Sequence, residues 1–240
     1  MKALKRLLGV TSLLVLALLA CLRVEKDYVK EIRSGKLAYA TTAGWVNRNH
    51  ANPAGAQLLV DDLRRRWRAS GGLPFDVTFA QQMSGRYLGI INVISRAERT
   101  YHLPQPMTEQ DLERVAWGIF RQVAEVFETM QGAFPNAIDA NSQGSSFREG
   151  DLMGNRIAFY RALRGYSEQQ VRDWTGLTTV DESVRQFSAH PITKCYEWTV
   201  PPLLAGGPLD ELPYDAGWFA AHATKVREKQ SWFRLSLAGR

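Results

Sequence analysis

The sequence predicts an α+β fold: a mostly helical single domain packed on a small antiparallel sheet, preceded by an N-terminal signal or anchor segment. Three observations point there. Leu112, Val115, Ile119, Phe120, Val123, Val126, Phe127 and Met130 recur at three- and four-residue spacing, the stripe of a long core helix over Thr108 to Gln131. Short runs such as Leu37–Thr41 and Phe75–Ala80 alternate between larger and smaller or polar residues, as half-buried strands do. Residues 7–20 form an uncharged, largely apolar run behind Lys2, Lys5 and Arg6.

A basic start, a hydrophobic stretch and a small residue, Ala20, before Cys21 make the layout of a secretory signal. It resembles a bacterial lipoprotein signal, cut before Cys21 and lipidated on its thiol. The alternative is an uncleaved anchor: Leu7 to Leu22 gives 16 uncharged residues, just short of the roughly 17–25 of a spanning helix. Either of these readings, unlike a third in which the signal is simply cleaved, tethers the domain to a membrane, facing the periplasm of a bacterial envelope. Leu22 stands where no aspartate follows the cysteine, which by resemblance to Gram-negative lipoproteins implies the outer membrane. The organisation expected is a signal over 1–20, a juxtamembrane spacer over 22–35 and one globular domain over 36–240.

Within the domain, Leu37 to Gly44 reads as a strand. Asn52-Pro53 starts a helix running to about Ala69, with proline at its first position. Gly71-Gly72-Leu73-Pro74 breaks the chain. Phe75–Ala80 and Tyr87–Ile94 read as two strands joined by a turn over Gln81–Arg86. After the long helix, three more are expected, over Phe147–Arg164, Ser167–Thr175 and Val180–Ala189. Ser167 and Gln170 form a capping-box start to the second of these. Proline and glycine between Pro191 and Pro208 imply an irregular wrap, and a last helix is expected over Ala216–Lys229.

Charge and cysteine content remove several function classes. The chain is +6, but residues 1–20 carry three basic and no acidic groups, leaving 27 basic against 24 acidic, or +3. Half the excess belongs to the targeting segment, so nucleic acid is not an expected partner. Arg64-Arg65-Arg66 and Arg68 follow Asp61 and Asp62 at ion-pair spacing and read as an exposed helix face. With Cys21 lipidated, Cys195 stands alone and a disulfide scaffold is ruled out. No nucleophile elbow, zinc-helix motif, Walker loop or dinucleotide turn occurs. The four histidines show no metal-ligand spacing. Accordingly, neither a metal nor a cofactor is expected, the alternative being a metal held by His50, Asp151 and one distant histidine.

Chemistry concentrates in two polar clusters. The first, Asn47-Arg48-Asn49-His50-Ala51-Asn52, leads into a helix N-terminus, where backbone amides favour negative charge. His50 there is a candidate general acid or base; the structural alternative is a tight loop whose asparagines hydrogen-bond their own backbone. The second runs from Asn141 to Asp151. Ser146 and Glu149 have capping-box spacing. Arg156 and Glu149 fall on the apolar face of the following helix, costly unless paired or lining a cleft; Asp151 and Asn155 lie one turn apart on a more polar side.

Gly44-Trp45-Val46-Asn47 with His50, and Ser145-Ser146-Phe147-Arg148-Glu149-Gly150-Asp151-Leu152 with Asn155, resemble two motifs of a family of uncharacterised bacterial envelope proteins, many of them expected lipoproteins. Asn47 stands where aspartate is expected in that family, and Asn52 where arginine is common. The resemblance implies that the two clusters form one site, without naming a reaction. The site expected has His50 as acid/base, oriented by Asp151 or Glu149, with Ser146 as nucleophile or substrate ligand. Asn47, Arg48, Asn52, Ser145, Asn155 and Arg156 would bind substrate. The reaction expected is a hydrolase or transferase step on an envelope substrate. The rival expectation is a non-catalytic envelope lipoprotein that binds a protein or ligand through an apolar patch bearing Trp198, Trp218 or Trp232.

Overall fold

A computed structural model describes residues 28–87, 91–104, 106–132, 147–193, 212–231 and 236–237. The signal segment, Cys21, Cys195, Ser145, Ser146, Trp198 and Trp232 lie outside the described residues. Among the described residues, no helix is long and apolar enough to cross a membrane.

The fold is α+β, as the patterning predicts. Among the described residues, the order opens with helix α1 (Tyr28–Arg33) and a hairpin of β1 (Leu37–Ala40) and β2 (Gly44–Asn47). Helix α2 (Ala54–Ser70) leads into a long hairpin of β3 (Phe75–Tyr87) and β4 (Ile91–Leu103). Four helices follow: α3 (Glu109–Gly132), α4 (Glu149–Arg164), α5 (Glu168–Thr175) and α6 (Val180–Ala189). Helix α7 (Ala216–His222), β5 (Thr224–Ser231) and β6 (Ser236–Leu237) close the order. β4 is the shared strand of the larger sheet, pairing antiparallel with β3, β5 and β6.

Helix α3 lies across that sheet because its apolar stripe meets the inward side chains Val77, Phe79, Ala97 and Tyr101. Phe120, Trp117, Phe159 and Tyr160 join α3 to α4 through ring contacts at 4.9–5.9 Å between centroids. The β1–β2 hairpin packs against α4 and α6. Within the segment expected as a spacer, α1 buries Ile32 completely, and Glu31 pairs with Lys36 and Arg148. Residues 28–35, the described part of that segment, therefore carry contacts to the packed body.

Three local expectations are corrected. Gln81–Arg86 is strand, not turn: Gln81 pairs with Ala97 and Gly85 with Val93. Met83 carries the apolar alternation through the polar stretch and packs with Ala97, Phe127 and Met130. The last helix ends at His222, and Thr224–Ser231 is an edge strand exposed at every position. Its backbone pairing to β4 outweighs the helical preference of the sequence. Helix α4 starts at Glu149 behind Arg148, without a side-chain cap, so Glu149 is the first helical residue instead of the third. The capping box of α5 forms as expected, Ser167 and Gln170 each bonding the other's backbone.

Candidate functional site

The two polar clusters meet because α4 presents glycine to the loop that follows β2. A Cβ on Gly154 would stand 2.5 Å from the Asn47 carbonyl oxygen and 2.7 Å from the His50 Cβ. Only glycine allows this approach. One position along the helix from Gly150 and Gly154, Asp151 and Asn155 are thereby set beside the loop carrying Asn47 and His50.

Asp151 is fully buried, and both its oxygens are held. The Asn47 amide donates to Oδ1 at 2.7 Å, and the Arg148 guanidinium donates to Oδ2 at 3.0 Å and Oδ1 at 3.3 Å. Arg148, itself buried, also donates to Glu31 at 2.9 Å, and Lys36 donates to the other Glu31 oxygen at 3.0 Å. The Asn47 side-chain oxygen accepts from the Asn49 amide, which fixes the loop. An aspartate at 47 would set two carboxylates in contact, so the amide found here suits its partner.

The His50 ring lies between two carboxylates. Its Nε2 is 3.8 Å from Asp151 Oδ1, and its Nδ1 is 3.8 Å from Glu128 Oε1, both just beyond hydrogen-bond reach. Burial pulls the His50 pKa below its ordinary value, partly opposed by the Asp151 charge. The side chain retains 20% of its exposure, which tempers that effect.

Glu128 is the residue that sequence reasoning missed. It lies on the stripe of α3, where no function was assigned, and is fully buried. Its Oε2 accepts from the Phe147 amide at 3.0 Å, while Oε1 has no hydrogen-bond partner. Burial first, then the Asp151 charge, raises its pKa well above the usual carboxylate value. The signal available was the one applied to Arg156: an ionisable residue at helical spacing from buried Ala124 and Gln131. The Asn155 amide adjoins both His50 and Glu128, and its Nδ2 also lacks a partner although the residue is 95% buried.

A cleft of about 690 Å³ opens onto this centre between α2, β3 and α3, lined by His50, Asn52, Asn155, Phe79, Phe120 and Gln131. Glu128 and Asp151 stand behind His50, shielded from water. Of the other expected site residues, Asn52 accepts from the Ala54 amide and starts α2. Arg48 pairs with Glu168 at 2.8 Å and lines a separate cavity of about 280 Å³, so it does not hold negative charge beside His50 in the cleft. Glu149 does not orient His50: its carboxylate occupies the space a Cβ on Gly44 would take and accepts from Thr193. Arg156 is buried on α4, as its place on the apolar face requires. Trp218 is half-buried, stacked on His222 and covered by the Arg114 guanidinium.

Compared with protein-family models, curated proteins and solved structures, the chain matches none.

Proposed function

We propose that this chain is a membrane-tethered bacterial envelope enzyme, a hydrolase or transferase whose reaction centre is His50 at the inner end of the cleft. The observation that carries the reading is the His50 ring, set between two fully buried carboxylates and exposed to an open cleft. Buried, strongly perturbed ionisable groups beside a cleft are the usual setting for proton transfer and nucleophile activation. Asp151, held by Asn47 and Arg148, sets a fixed negative charge 3.8 Å from Nε2 of the ring. Activation of a water or hydroxyl nucleophile is the step such a centre serves, with Asn155 and Asn52 reaching the substrate from the cleft wall. The resemblance of the two motifs to those of envelope lipoproteins supports the same centre. The signal-like residues 1–20 and Cys21 support attachment to the periplasmic face of a membrane, most simply the outer one.

The test is turnover of ester, amide, glycoside and phosphodiester substrates drawn from envelope polymers and lipids, comparing wild type with His50→Ala. Loss of at least about 100-fold in rate, with an unchanged circular dichroism spectrum, is the expected result. Equal turnover in the variant would overturn the reading, and binding of a partner without turnover would favour the non-catalytic lipoprotein. Palmitate labelling of the cells should mark the wild type and not Cys21→Ala; equal labelling would remove the lipid tether.

A further inference from the structure

We propose that His50, Glu128 and Asp151 form a divalent metal site, taking a first-row transition cation such as Mn²⁺ or Zn²⁺, with the cleft supplying its open positions. This rests on the reading of the His50 cluster as the reaction centre and specifies what activates the nucleophile there. One ring nitrogen and one oxygen from each carboxylate lie within 4.8 Å of one another. A point no more than about 2.8 Å from all three therefore exists, at most about 0.6–0.8 Å longer than the about 2.0–2.2 Å that imidazole and carboxylate ligands keep on zinc. A small rotation of Glu128, which has one bond to the backbone and none on Oε1, closes the difference.

Charge and hydrogen bonding agree. Among the described residues, Lys36 is paired with Glu31, and Arg148 with Glu31 and Asp151. That leaves Glu128, fully buried with a bare oxygen facing the imidazole. A buried carboxylate in this state is costly unless a proton or a cation meets it. Two carboxylates with one imidazole suit borderline and moderately hard divalent cations. The Arg148 and Asn47 donors on Asp151 supply the outer support that fixes a ligating carboxylate. Asn155, buried with an unpartnered Nδ2 and lining the cleft, is placed to donate to a water or substrate oxygen on the cation. The cleft is the entry path.

The experiment is calorimetric titration of chelator-stripped full-length protein in detergent with Mn²⁺ and, separately, Zn²⁺. One equivalent should bind with a Kd below about 10 μM, and Glu128→Gln should weaken binding at least about 100-fold while remaining folded. Electron paramagnetic resonance of the Mn²⁺ complex should show nitrogen coupling that disappears in His50→Gln. Absence of saturable binding by either ion, or equal binding by Glu128→Gln, overturns the proposal. Binding without turnover of any substrate would sustain the metal site and defeat the catalytic reading. Turnover that depends on His50 in metal-free protein would do the reverse.

Discussion

The two carboxylates flanking His50 stand the same distance from its ring and differ in almost everything else. Asp151 takes three donated hydrogen bonds, from an amide and a guanidinium, and its charge is matched by Arg148. Glu128 takes one, from a backbone amide, and presents a bare oxygen to the imidazole. Both are fully buried, so the contrast reflects partners and not exposure. The Asp151 side is finished structure, and its atoms hold two clusters, α1 and α4 together. The Glu128 side is unfinished, and a buried polar atom without a partner marks the place where a proton, cation or ligand belongs.

The contrast can be broken first on the finished side. Arg148→Met leaves Asp151 and Glu31 without their shared guanidinium, and breaking a buried pair this way costs about 3–5 kcal/mol. Urea unfolding should show a loss of that order; a loss under about 1 kcal/mol would mean that Asp151 is not held as described. The approach that brings the two sides together is tested next. Gly154→Ala drives a methyl group into the Asn47 carbonyl and the His50 Cβ, at about 1–3 kcal/mol. Gly150→Ala, whose new methyl meets its neighbours at 3.3–3.5 Å, should stay within about 1 kcal/mol of wild type. Equal effects of the two substitutions would show that α4 does not press on the loop at Gly154.

Much of the fold was legible because it rests on burial periodicity. The stripe of α3, the capping box at Ser167 and the break at Gly71-Gly72 act locally, and they stand where the sequence places them. The edge strand β5 left no such trace. Its eight residues are all exposed, and backbone pairing to β4, with polar contacts such as Arg99 to Glu228, orders them without an apolar stripe. The polar stretch Gln81–Arg86 similarly disguised a continuing ladder, since strand pairing satisfies backbone groups whatever the side chains are.

The centre was legible in part. His50, Asn47, Asp151 and Asn155 converge, because the small-residue spacing Gly150–Gly154 on α4 is written in the sequence. Glu128 was hidden by the apolar residues around it: a stripe regular enough to announce a helix invites the reader to pass over one acid inside it. Arg148 stands inside the second motif with no role read from the sequence, yet its guanidinium links Asp151 to Glu31 across 117 positions of chain. Glu149, by contrast, lay on the expected face but points to Gly44 and Thr193, because α4 starts later than the Ser146–Glu149 spacing suggested.

The claim that Glu128 is the unfinished side is tested most directly by unfolding wild type and Glu128→Gln in chelator from pH 5 to pH 8. A carboxyl whose folded pKa is raised holds its proton more tightly in the native state. Its stabilising contribution is full below the ordinary carboxyl range and is lost as pH rises through the raised value. Wild type should therefore lose stability toward pH 8 relative to Glu128→Gln, with the variant the more stable of the two by about 1–3 kcal/mol at the upper end. A variant less stable than wild type by the same margin across the whole range would contradict the account, because Glu128 would then be as well satisfied as Asp151.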